Sequence, residues 1–268
     1  MEPGDRGAVV YVNCTCFCLL PSAYCYDNRP VTPIKKRTLG FLTLSLVLGI
    51  GAAVGSLIFF AWLSDEVLDG ETRHFDEVTR AAVHHLASPT MTATMRGISF
   101  VGSSLFLTAA TVTMFIWFLT RHWRREGWLL GITMLGAAIL NTTLKLTFQR
   151  ARPEPFFDLL APKSYSFPSG HSLASFCFFG ALATVLTARI ENKRINFVTW
   201  LVSGLLVLLI GLSRIYLGVH YTTDVLAGYA AALIWIAVIR FLEMQLVRRR
   251  KKRGSSPTVK EGSTAKIR

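Results

Sequence analysis

Long apolar runs alternate with short polar segments along most of the chain. Six runs are long enough, at roughly 20 residues, to cross a bilayer as helices. They extend over about Leu39 to Leu63, Ser103 to Leu119, Gly127 to Phe148, His171 to Thr187, Phe197 to Tyr216 and Thr223 to Phe241. Strands do not fit: the runs are too long, and every backbone polar group in lipid has to be paired within its own segment. No fixed-period repeat is visible. The pattern predicts an all-α fold, a six-transmembrane-helix bundle. The segment from Asp65 to Gly102, between the first two spans, has a different rhythm. Phe75, Val78, Ala82 and Leu86 recur at helical spacing among Arg, His and Asp. This predicts an interfacial amphipathic helix lying on the membrane surface. His84 and His85 fall in it and read as a solvated or headgroup-facing pair, with the guidance of an anionic lipid as the alternative.

Composition agrees with a membrane protein, since 51% of the residues are hydrophobic. Charge then orients the spans. Lys and Arg outnumber Asp and Glu by 29 to 16, mostly in tails and short loops. Lys35, Lys36 and Arg37 precede the first span; Arg121, Arg124 and Arg125 follow the second; Arg189, Lys193 and Arg194 follow the fourth; the run Arg248 to Arg253 follows the sixth. With six spans all four clusters fall on one side, which the positive-inside rule makes cytoplasmic. Both termini are then cytoplasmic, as in a bacterial inner or plasma membrane. Nucleic-acid binding is excluded, because no basic groove with interleaved aromatics lies outside the apolar runs. The domain reading is a Cys-rich disordered tail over 1–37, a membrane-integral domain over 38–247 and a basic disordered tail over 248–268. Cys14, Cys16, Cys18 and Cys25 lack the usual zinc-ligand spacing and read as free thiols, with metal binding or lipidation as the alternatives. No signal peptide is predicted, since the apolar stretch near Phe17 is too short.

Three short stretches at the ends of spans carry ionisable groups, which are costly near a membrane and mark a functional site. The first is Lys145-Leu-Thr-Phe-Gln-Arg-Ala-Arg152-Pro153. Lys145 and Arg152 are seven apart, two helical turns, so they share one face about 10 Å apart along the axis. The second is Pro168-Ser169-Gly170-His171, just before the fourth span. Unpaired N–H groups at a helix N-terminus suit an anion. Ser169 adds a hydroxyl donor, Gly170 allows close backbone approach, and His171 can donate a proton. The third runs from Ser213-Arg214 to His220-Tyr-Thr-Thr-Asp224. Arg214 offers a planar fork for phosphate oxygens. His220 and Asp224 are one turn apart, so the carboxylate can fix the imidazole tautomer and leave the other nitrogen as a nucleophile. All three stretches lie on the side away from the cytoplasm. Their basic residues, with Arg150 and Lys163, run against the positive-inside rule, which suggests another purpose for them.

With its Lys-x6-Arg-Pro, Pro-Ser-Gly-His and Ser-Arg-x5-His-x3-Asp stretches intact and in order, the chain resembles the type 2 phosphatidic acid phosphatase superfamily, which includes vanadium haloperoxidases and glucose-6-phosphatases. The resemblance covers about Phe100 to Phe241. It implies a six-helix bundle and a role for each motif residue. His220 would attack phosphorus and form a phosphohistidine, with Asp224 orienting it. His171 would protonate the leaving oxygen and then activate water. Lys145, Arg152, Arg214, Ser169 and the Gly170 amide would hold the phosphate oxygens. Three fixed cations can neutralise the equatorial oxygens, so neither a metal nor another cofactor is expected.

The function that follows is a membrane-integral lipid phosphatase. Its substrate would be undecaprenyl diphosphate, phosphatidic acid or phosphatidylglycerol phosphate, handled on the extracytoplasmic face. The alternatives are a lipid phosphotransferase using the same phosphohistidine and a non-catalytic lipid-binding membrane protein. The sequence leaves the oligomeric state open.

Overall fold

The structure, a computed structural model, describes residues 36–157 and 163–254. The Cys14 to Cys25 cluster and the end of the basic tail lie outside them. Helices account for the architecture: α1 (Lys36–Asp69), α2 (Arg73–His84), α3 (Pro89–Val101), α4 (Ser104–Thr120), α5 (Arg124–Phe148), α6 (Gly170–Thr187), α7 (Lys193–Tyr216) and α8 (Thr222–Gly254). The described residues divide into two units between Gly51 and Ala52; the packing below concerns the second.

Local chemistry explains the boundaries. Ser88, Ser103, Ser169 and Asn192 precede α3, α4, α6 and α7, and each side-chain oxygen accepts a hydrogen bond from a backbone N–H of the first turn. Pro89 adds a preset φ at the first position of α3. α5 ends at Gln149, whose φ of 47° is left-handed and whose N–H donates to the Lys145 carbonyl.

Among the described residues five helices are long and apolar enough to cross a membrane, and α3 with α4, bent by 46°, makes a sixth span if the pair is taken as one. The sixth-span count agrees with the hydropathy pattern, but the second span is longer than its apolar core because α3 continues it. The bend lies at Gly102. A Cβ there would come 2.3 Å from Ile210 and 3.3 Å from the His171 ring. The turn between α3 and α4 can therefore approach α7 and the Pro-Ser-Gly-His stretch only without a side chain.

α6 is the centre of the bundle and packs against α4, α5, α7 and α8. Its buried face carries Leu173, Cys177, Phe178, Phe179 and Ala183. One cluster joins Phe178 and Phe179 to Leu107, Phe118, Leu130, Val207 and Ile210. Another joins Leu173 and Cys177 to Ala137, Ala231 and Ala232. A helix apolar all round belongs at such a centre. The outer helices expose Leu57, Ile58, Leu105, Leu135 and Leu208, which suits an exterior of hydrocarbon.

The predicted amphipathic helix is α2. Phe75 and Val78 point outward and are 49% and 52% exposed, whereas Asp76 is fully buried. Apolar side out and acidic side in is the inverse of a soluble protein, and it fits an element between headgroups and bundle. The two histidines behave differently from the pair the sequence suggested. His85 is exposed, but His84 is half-buried and stacks on Phe156 with ring centroids 4.0 Å apart.

Candidate active site

The last turn of α5 supplies Lys145, and the segment after it supplies Arg150 and Arg152. The first turn of α6 supplies Gly170 and His171, the last turn of α7 supplies Arg214, and the α7–α8 connection with the start of α8 supplies His220 and Asp224. Four helix ends thus meet at one level. A cavity of about 630 Å³ opens there, lined by Lys145, Arg152, Gly170, His171, Arg214 and His220. It continues between α4 and α5 past Asn141, Ala138, Leu107 and Gly131. That path follows α5 for about 20 Å. A second cavity of about 690 Å³, beside Ser88, Arg96 and Phe157, touches none of the motif residues.

His220 is 1% exposed, and each ring nitrogen has its own partner. Nδ1 lies 3.2 Å from Asp224 Oδ2. Nε2 lies 3.0 Å from an Arg152 terminal nitrogen. A guanidinium can only donate, so Nε2 is the acceptor and Nδ1 carries the proton. The tautomer that leaves a lone pair on the cavity side is thereby selected. Burial pushes the His220 pKa down to about 4 despite Asp224, and Arg152 and Arg214 add to the depression. The imidazole is neutral at pH 7.

Arg152 is held by the Ser164 carbonyl at 2.7 Å and the Val219 carbonyl at 2.7 Å. Lys145 donates to the Tyr165 carbonyl. Arg214 donates to Ser99 Oγ, while its buried Nε has no partner among the described residues. Among the described residues none of these three cations is paired with a carboxylate, so their charge faces the cavity. An anion with several oxygens is the complement of such a site.

Six of the eight residues picked out by sequence line this cavity, and Asp224 lies behind His220. Ser169 differs. Its side chain is fully buried, and Oγ caps α6 by accepting from Ser172 N–H at 3.4 Å and Ser172 Oγ–H at 3.0 Å. Gly170, not Ser169, lines the cavity. The tight entry to α6 has a second requirement. Gly228 of α8 passes so close that a Cβ would lie 2.7 Å from the Ser169 carbonyl oxygen. The Pro-Ser-Gly-His turn sits against bare α8 backbone.

Sequence reasoning missed Asp76, Ser166 and the true place of Arg150. Asp224 is fully buried and accepts from Tyr221 N–H at 2.9 Å, from Ser166 Oγ and from Arg150 at 2.7 Å, besides His220. The other terminal nitrogen of Arg150 donates to Asp76 Oδ2 at 2.8 Å. The signal for Arg150 was present, as a cation against the positive-inside rule, but its two carboxylate partners are 74 positions away on either side. Nothing local marks Ser166.

The PAP2 superfamily model matches residues 126–247. Phosphatidylglycerophosphatase B of Bacillus subtilis is 30% identical over 205 residues, 74% of this chain and 98% of that protein. Undecaprenyl-diphosphatase of Sulfolobus acidocaldarius is 34% identical over 128 residues, 46% of this chain and 56% of that protein. Among solved structures, the transmembrane PAP2 type phosphatidylglycerolphosphate phosphatase of Bacillus subtilis superposes with a TM-score of 0.67 at 28% identity, covering 72% of this chain and 96% of that one.

Proposed function

The chain belongs to the PAP2 superfamily, and on that premise we propose that it is a lipid phosphatase that works through a phosphohistidine on His220. The observation that carries this is the state of His220. It is buried, neutral and tautomer-fixed, with Nε2 directed at a tri-cationic cavity.

In this reading the phosphate enters among Lys145, Arg152, Arg214 and the Gly170 amide. Arg152 turns its N–H from Nε2 to a phosphate oxygen, which frees the lone pair. Nε2 forms a bond to phosphorus as the bond to the lipid oxygen breaks, and His171 gives that oxygen a proton. His171 then takes a proton from water, the oxygen of which attacks phosphorus, and the P–N bond breaks to release phosphate. Asp224 balances the charge on the His220 ring throughout. The three cations and the amide neutralise the equatorial oxygens, which is most of what phosphoryl transfer requires. The path between α4 and α5 holds the lipid chain.

The substrate is a lipid phosphate ester. Phosphatidylglycerol phosphate ranks first, because the relative matched over 98% of its length bears that activity in its name; undecaprenyl diphosphate and phosphatidic acid follow. The test is phosphate release by the purified protein in detergent, with EDTA, from the three lipids in parallel. Release from one of them only is the expected result. Release only upon addition of a lipid or alcohol acceptor would replace hydrolysis by transfer to that acceptor.

The charge pattern supports a site on the extracytoplasmic face and both termini in the cytoplasm, since the basic clusters at 121–125, 189–194 and 248–253 lie at the opposite ends of the spans. An alkaline phosphatase fused after Arg253 is therefore expected to be inactive in a bacterial host. An active fusion would invert the topology.

A further inference from the structure

We propose that Asp76 and Arg150 are positioning residues for the His220–Asp224 pair, and that through them the amphipathic helix α2 is tied to the reacting imidazole. The proposal rests on His220 being the nucleophile.

Arg150 is the fourth cation near the cavity, yet it does not line it. Its guanidinium spans two carboxylates instead. One terminal nitrogen donates to Asp224 Oδ1 at 2.7 Å and to Thr223 Oγ1 at 2.8 Å. The other donates to Asp76 Oδ2 at 2.8 Å. The Tyr221 ring lies 4.2 Å beneath the guanidinium carbon and fixes its plane. Arg150 thus occupies Oδ1 of Asp224 and leaves Oδ2 to His220, Ser166 and the Tyr221 N–H.

Asp76 holds the far end. It is fully buried on α2 and also accepts from Thr223 N–H at 3.0 Å and Thr223 Oγ1 at 2.7 Å, which caps the start of α8. α2 has a second grip on the same region. Arg80 lies over Phe156 at 4.8 Å and Tyr221 at 5.5 Å, and it donates to the Glu154 carbonyl at 2.7 Å. The result is a line of alternating charge, Asp76, Arg150, Asp224 and His220, that begins on the helix whose Phe75 and Val78 face outward.

A line of charges has a signature that packing lacks. Removing the Arg150 charge leaves the field of Asp224 less compensated, so His220 holds its proton more tightly and its pKa rises. Removing the Asp76 charge leaves Arg150 less shared, so the pKa of His220 falls. The other groups facing His220, namely Arg152, Arg214, His171 and Lys145, are the same in both variants. Opposite shifts therefore isolate the line. A charge one shell beyond Asp224 is expected to move the titration by up to about one unit.

The experiment titrates isotope-labelled histidine by NMR on the full chain in detergent, for the wild type, Arg150→Gln, Arg150→Lys and Asp76→Asn, with His220→Ala to assign the signal. Phosphate release is measured on the same samples. The His220 titration is expected to move up in Arg150→Gln and down in Asp76→Asn. Arg150→Lys keeps the charge but not the fork. It should leave the titration near its wild-type position while lowering kcat by roughly tenfold to a hundredfold with KM unchanged, the effect of a misplaced reacting group. Shifts of the same sign in Arg150→Gln and Asp76→Asn, or none, would overturn the proposal, even if both variants were less stable. A wild type that releases no phosphate would overturn the phosphatase function, while the titration would still decide whether the line exists.

Discussion

His220→Ala is expected to abolish phosphate release, with a loss of roughly four orders of magnitude or more. The magnitude follows from the absence of a substitute. Within the cavity the one other imidazole is His171, on α6, which faces the leaving-group side in the proposed reaction. Water could attack in place of Nε2, but the cations would then act on a reaction without its nucleophile, and only their share of the acceleration would remain. The fold should tolerate the change. Asp224 Oδ2 loses one donor but keeps the Tyr221 N–H and Ser166, and Arg150 still occupies Oδ1. Truncation also relieves the burial of an imidazole. Rapid quench of the wild type into alkaline detergent with a radiolabelled lipid phosphate should trap acid-labile label on the protein and none on the variant. Full turnover in His220→Ala would place the nucleophile elsewhere.

Asp224→Asn is expected to lower kcat by roughly 10³- to 10⁴-fold, on the scale seen when the carboxylate behind a catalytic histidine becomes an amide. The geometry shows why an isosteric change is not conservative here. Four donors converge on the carboxylate: Arg150, Tyr221 N–H, Ser166 Oγ and His220 Nδ1. An amide has one oxygen. Its NH₂ must face either Arg150 or the other three, so a donor is set against a buried donor in both orientations. If it faces the three, His220 loses the partner that selects its tautomer. If it faces Arg150, the cation keeps Asp76 as its carboxylate partner and the Thr223 hydroxyl. Leaving a buried charge without its partner costs about 3–5 kcal/mol, so a lower thermal midpoint in detergent should accompany the loss of activity.

The pH profile supplies a sign. Burial is the larger influence on His220 and drives its pKa down to about 4, while Asp224 opposes it. Without the carboxylate the pKa falls further. The neutral ring is the active form, so the acid limb of kcat/KM should move to lower pH in Asp224→Asn while the plateau drops. A limb displaced to higher pH would mean that the carboxylate does not act on His220 as the distances imply.

These expectations divide between chain and fold. Six spans were legible because lipid leaves the backbone no partner outside its own helix, so hydropathy and length nearly determine the elements. Positions at the ends of those spans were legible too. Lys145, Arg152, His171, Arg214, His220 and Asp224 stand out because ionisable groups at a membrane boundary are rare without a purpose. The spacing of His220 and Asp224 suggested that they meet, and the structure places the pair 3.2 Å apart, although His220 lies just before α8 and not on its first turn.

What the chain could not show is which atoms meet when four helix ends come to one level. Ser169 reads as a phosphate donor by its motif, and only the structure shows that its oxygen also caps the turn into α6. The split between His84 on Phe156 and the exposed His85 depends on the path of the segment after Pro153. The link from Asp76 through Arg150 to Asp224 joins residues 74 positions apart on each side. Sequence alone determined the spans and the chemistry at their ends, because those follow from local periodicity and the cost of charge in lipid. Only the tertiary structure decided which cations face the cavity and which one holds the carboxylate, because that is set by the angle at which packed helices deliver their ends, and no local pattern encodes it.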